Sequence, residues 1–111
     1  MLIFKKCGLV LVLLFTAMFS GSALAETIWI DVRSSEEFSQ GHLPGAVNIV
    51  HTEISSKIGS VTQDKNAEIK LYCRSGRRSG LAEAALKELG YTRVQNAGGY
   101  EELSAKQPKK P

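Results

Sequence analysis

The sequence predicts an α/β fold: a central parallel sheet of about four to five strands with helices on both faces. Three observations carry this. Short β-branched and aromatic segments alternate with segments of helical spacing along most of the chain. Strands separated by helices imply parallel pairing with helices packed on the sheet. One strand-like segment runs straight into a cysteine, a loop and a helix, at the carboxyl end of a strand where such sheets bind ligands. A length of 111 residues leaves room for one domain.

The domain is expected over residues 26–105. Ahead of it, Lys5 and Lys6 precede an almost wholly apolar run from Gly8 to Phe19. Small residues then lead to Ala23-Leu24-Ala25, a pattern that signal peptidase accepts. The run is shorter than the ~20 residues a helix needs to cross a bilayer. Residues 1–25 are therefore read as a signal peptide cut after Ala25, which places the mature chain in the periplasm without stable membrane association. Cleavage removes two of the 14 basic residues and none of the 11 acidic ones, so the net charge falls from +3 to about +1. That balance gives no support to a nucleic-acid partner.

Thr27–Val32 reads as the first strand, being β-branched and aromatic. Ser34 with Glu37 three residues on forms a capping box that opens a short helix, stopped by Gly41 and Pro44. Ala46–Val50 reads as the second strand, and Thr52–Ile58 as a short helix ending at Gly59. Thr62–Asn66 is polar and turn-like. Glu68–Tyr72 is the third strand and delivers Cys73. Ser79 is expected to cap the best helix, with Leu81, Ala82, Ala85, Leu86 and Leu89 on its buried face and Gly90 at its end. Arg93–Gln95 is a fourth short strand, Asn96–Gly99 a turn, and residues 106–111 a flexible tail.

Cys73 is the only cysteine outside the signal, since Cys7 lies within it and lacks a lipidation context. A lone thiol in an exported domain is either buried and inert or exposed and reactive. Its neighbours favour reactivity. The loop Cys73-Arg74-Ser75-Gly76-Arg77-Arg78 can fold its N–H groups around the sulfur as an anion nest. The helix that follows adds the positive end of its dipole, and three arginines add formal charge. All of these favour the thiolate, which is the nucleophile.

The loop CRSGRR resembles the active-site loop of the rhodanese family, whose pattern runs roughly C-R-x-G-x-[RT]. Asp31-Val32-Arg33 through Glu37-Phe38, then Gly41-His42-Leu43-Pro44-Gly45-Ala46, resembles the family's other motif, and Asn96-Ala97-Gly98-Gly99 its C-terminal turn. The extra strand with which most members begin is missing here. The resemblance implies a thiosulfate sulfurtransferase that carries sulfur as a Cys73 persulfide. Arg74, Ser75, Gly76, Arg77, Arg78 and Ser79 would then bind the anionic donor and the persulfide. Asp31 and Arg33 are read as a supporting structural pair, with Glu37 as a further candidate partner.

The implied partners are a small sulfur donor and a thiol or cyanide acceptor, with no cofactor. Two histidines and one cysteine without ligand spacing do not suggest a metal site; His42 reads as a packing or hydrogen-bonding residue. A persulfide carrier serving a dedicated partner is an alternative that the sequence does not separate. A cysteine-dependent phosphatase is another. Such enzymes place an arginine six positions after the cysteine, where this chain has Ser79, and no general acid is evident. The oligomeric state is open.

Overall fold

The computed structural model describes residues 26–106, so the signal peptide read over residues 1–25 and the tail beyond 106 lie outside the described residues. Four strands, β1 (Ile28–Asp31), β2 (Val47–Asn48), β3 (Ile69–Cys73) and β4 (Val94–Gly99), form one sheet in the order β2-β1-β3-β4. Every pair is parallel, with Ile30 opposite Val47 on one side and Leu71 on the other, and Leu71 opposite Asn96. The helices are α1 (Ser35–Ser39), α2 (Ile54–Lys57), α3 (Arg77–Glu88) and α4 (Tyr100–Lys106). Short 3-10 turns over His51–Glu53 and Ile58–Ser60 flank α2, where the sequence suggested one continuous helix.

Strand alternation sorts the side chains. Ile30, Val32, Ile69, Leu71 and Cys73 face Ile54 of α2 and Ala82 and Leu86 of α3 in one apolar cluster. Burying each of the large aliphatic side chains stabilises the fold by ~1.5–3 kcal/mol. Tyr72 points the opposite way, where Tyr100 of α4 stacks on it with ring centroids 6.1 Å apart. The Tyr72 hydroxyl accepts the N–H of Leu43, which pins the Gly41–Pro44 corner to the sheet. Burial pushes its ionisation up to about 12, so it remains a neutral anchor.

Four expectations need correction. The main helix begins at Arg77 with Gly76 as N-cap, three residues before the Ser79 cap the sequence suggested. Leu81 and Leu89 are exposed, and the buried face is Ser79, Ala82 and Leu86. Leu81 sits about 100° around the helix from Ala82, and Leu89 lies past the last helical residue. Asn96–Gly99 is not a turn but the body of β4, with a register shift where Leu71 meets Asn96 and Tyr72 meets Gly98. Its glycines mark a bulge and a close backbone approach, both of which resemble a turn in sequence. Lys106, assigned to the tail, closes α4, a helix the sequence reading did not foresee.

Candidate active site

Cys73 is the last residue of β3, so its side chain faces α3 at the carboxyl edge of the sheet. The chain turns back through Arg74, Ser75 and Gly76, whose φ of 98° a residue with a Cβ adopts only under strain. The turn aims the Gly76 N–H at the sulfur, 3.0 Å from Sγ. No side chain caps α3, so the N–H groups of its first turn stay available to a negative charge. Ser79 Oγ lies 3.5 Å from Sγ.

Burial pushes the Cys73 thiol up, but Ser79 Oγ and the N–H groups of Ser79, Ser75 and Gly76 outweigh it. The net effect holds the thiol below its ordinary value. Sγ is also fully covered by protein. The choice between a buried thiol and an exposed one in a favourable field therefore does not arise: this thiol is buried and yet held below its ordinary value.

Asn96 braces this arrangement and was not singled out in the sequence. Its Nδ2 donates to the Gly76 carbonyl at 2.8 Å. Its Oδ1 accepts from Ser79 Oγ at 2.6 Å and from the Gly98 N–H at 3.0 Å. Ser79 has one hydroxyl proton and three neighbours that could take it: Sγ, Asn96 Oδ1 and the Gly76 carbonyl. A thiol can donate to Ser79 Oγ while Ser79 donates to Asn96. A thiolate draws the Ser79 proton to itself. The signal available in the sequence was a polar residue inside an otherwise small-residue segment, Asn96-Ala97-Gly98-Gly99.

The three arginines do not act alike. Arg78 grips Glu37 through two hydrogen bonds of 2.8 and 3.1 Å. Chiefly because of Arg78, the Glu37 carboxyl falls to about 2, with help from the capping-box contacts of Ser34. Arg74, largely exposed, stands 3.8 Å from the same carboxylate. Arg77 is exposed and forms no ion pair among the described residues. Glu37 thus ties α1 to the cysteine loop and does not join the Asp31–Arg33 pair.

That pair is a buried ion pair, 2.6 Å between Arg33 Nη2 and Asp31 Oδ2. Hydrogen bonding to Asp31 raises the Arg33 guanidinium, which stays charged. Arg33 Nη2 also donates to the Gly41 carbonyl at 2.7 Å, so the pair fastens β1 to the Gly41 corner. His42 stacks on Phe38 at 3.7 Å, with Nδ1 2.9 Å from the Phe38 carbonyl oxygen, in the packing role expected of it. Among the described residues no three His, Cys, Asp or Glu side chains gather in a way that could hold a metal ion.

A parallel sheet whose third strand ends in a cysteine, cradled by a short loop and a helix N-terminus, defines the rhodanese-like domain. The model of that family matches residues 16–106, and the chain belongs to it. Among relatives, the chain is 43% identical to the thiosulfate sulfurtransferase PspE of Escherichia coli, over 91% of this chain and 93% of that one. Among solved structures, a rhodanese with anions from E. coli matches with a TM-score of 0.67 at 45% identity, covering 69% of this chain and 91% of that chain. The human single-domain sulfurtransferase TSTD1 matches with a TM-score of 0.65 at 29% identity, covering 86% and 92%. The class of chemistry is sulfur transfer.

Proposed function

We propose that this protein is a thiosulfate sulfurtransferase that carries sulfur as a persulfide on Cys73. The observation that carries the reading is the covered Sγ atom, with the Gly76 N–H at 3.0 Å and its thiol held below the ordinary range. The thiolate attacks the outer sulfur of thiosulfate. The sulfur–sulfur bond of the donor breaks, and its electron pair leaves with sulfite. The new terminal sulfur is an anion one bond further out, which the loop N–H groups and the helix dipole stabilise. Arg74 and Arg77, the two loop arginines not held in a close pair, receive the donor's charge. The donor enters past Arg74 and Ser75, both exposed at the outer edge of the loop. A thiol or cyanide then takes the sulfur, so the kinetics are ping-pong.

Intact-mass measurement tests the reading. Thiosulfate should add one sulfur to the protein and cyanide should remove it, and Cys73→Ser should keep its fold but take up none. Sulfur uptake by Cys73→Ser, or phosphate-ester hydrolysis without persulfide formation, would refute the assignment. Steady-state turnover with a small thiol distinguishes an enzyme from a carrier that needs a dedicated partner. The periplasmic setting rests on Lys5-Lys6, the apolar run and Ala23-Leu24-Ala25. An N-terminus at Glu26 on soluble periplasmic protein is the expected result, and an intact Met1 on membrane-bound protein would exclude it.

A further inference from the structure

A cavity of about 190 Å³ opens where the end of β1, the Gly41 corner, Arg74 of the cysteine loop and the start of α4 meet. Its wall includes Arg33, from the end of β1, Arg74, from the start of the loop, and Tyr100 and Glu101, from the start of α4. The Arg33 guanidinium lies over the Tyr100 ring, 4.4 Å from Cζ to ring centroid.

Arg33 is 5% exposed, and its donors are unequally used. Nε and Nη2 are taken by Asp31 and the Gly41 carbonyl, while Nη1 has no partner among the described residues. A guanidinium fixed by an ion pair and an aromatic ring, with one nitrogen left over at a cavity wall, is preorganised to hold a carboxylate oxygen. Arg74 adds a second cation at the rim. Glu37, also in the wall, is already gripped by Arg78. Glu101 makes no ion pair among the described residues, and it remains as the unengaged carboxylate.

We propose that this cavity binds the sulfur acceptor, and that the acceptor is a thiol of single-amino-acid size carrying both a carboxylate and an ammonium group. The carboxylate meets Arg33 Nη1 and Arg74, and the ammonium meets Glu101. The cavity is smaller than the ~300–1,000 Å³ of sites for drug-sized ligands, which suits one amino acid better than a longer peptide. The inference rests on the Cys73 persulfide proposed above. In the transfer the acceptor thiolate attacks the terminal sulfur of the persulfide. A sulfur–sulfur bond forms on the acceptor as the one on Cys73 breaks, the electron pair returns to Sγ as thiolate, and the acceptor leaves as its own persulfide.

The test separates the two half-reactions. Protein preloaded with sulfur from thiosulfate, verified by mass and freed of donor, is mixed with L-cysteine, with cysteamine, which lacks the carboxylate, or with 3-mercaptopropionate, which lacks the ammonium. Rates of sulfur loss are compared per thiolate, after correction for thiolate basicity. L-Cysteine should exceed each partial analogue by about tenfold, the effect of one charge-assisted hydrogen bond. Glu101→Lys should abolish or invert the preference for L-cysteine over 3-mercaptopropionate. Rates that follow thiolate basicity alone, with Glu101→Lys indistinguishable from the parent, would overturn the acceptor site while leaving the persulfide reading intact. Failure to load sulfur at all would instead overturn the persulfide reading, and the acceptor site with it.

Discussion

Replacing Gly99 by alanine tests how closely β4 and the cysteine loop are fitted. A Cβ built on Gly99 would lie 2.5 Å from the Arg74 carbonyl oxygen and 3.4 Å from its carbon. Real Cβ contacts essentially never fall below 3.0 Å, so the two segments must separate by at least 0.5 Å. Both are backbone, so no side chain can swing aside. Overpacking of this kind costs ~1–3 kcal/mol. In a domain of this size each kcal/mol lowers Tm by ~4–8 °C, so a drop of roughly 4–24 °C is expected. The displaced residue directly follows the nucleophile. Since a misplacement of ~1 Å can cost ~100-fold in rate, half of that should slow persulfide formation about tenfold. Gly59→Ala is the control, because nothing lies within 4 Å of its added Cβ. Thermal unfolding and single-turnover sulfur uptake are the assays. A Gly99→Ala protein that melts and takes up sulfur like the parent would show that the close approach constrains nothing.

Two further perturbations probe the loop's braces. Glu37 has a folded-state value depressed from 4.5 to about 2, so its contribution to stability is present above pH 4.5 and disappears as the pH falls toward 2. Discounted for its partial exposure to solvent, that contribution is roughly 1–2 kcal/mol. Glu37→Gln should be less stable than the parent by about this amount at neutral pH and nearly equal to it at pH 2. Parallel stability curves across the range would count against the Arg78 pairing. Asn96→Ala releases the Gly76 carbonyl, so the Gly76 N–H loses its fixed aim at Sγ and the Cys73 thiol should move up toward its ordinary ~8.5. The pH profile of alkylation reads this directly, and an unmoved midpoint would remove Asn96 from the thiolate's support.

The surroundings of the thiol were legible because their signals are local. Cys73, Gly76 and the helix after them are contiguous, so the nest and the dipole follow from chain order alone. The capping box of Ser34 and Glu37 was legible for the same reason. The second use of the Glu37 carboxylate was not, because Arg78 is 41 residues away and only the fold brings the two together. Asn96 shows the same limit, reaching Gly76 across 20 residues. Ser79 was misjudged because a serine ahead of an apolar helix looks like a cap. Here the cap falls three residues sooner, at Gly76, and the hydroxyl turns inward to Cys73. The pairs of glycines and small residues after Asn96 read as a turn because a backbone that must pass close to another uses the same residues as one that must bend.

The braces of the loop come from both sides of it in the chain, Glu37 well before and Asn96 well after. Until β4 docks, the Gly76 carbonyl and the Ser79 hydroxyl lack their common partner. Cys73 at that stage is closer to an ordinary cysteine. The aim of the Gly76 N–H at its sulfur is braced only when the last strand docks. Completion of the sheet is thus also the step that fixes the surroundings of the thiol, and a truncated copy lacking β4 would hold its cysteine loop without the Asn96 brace.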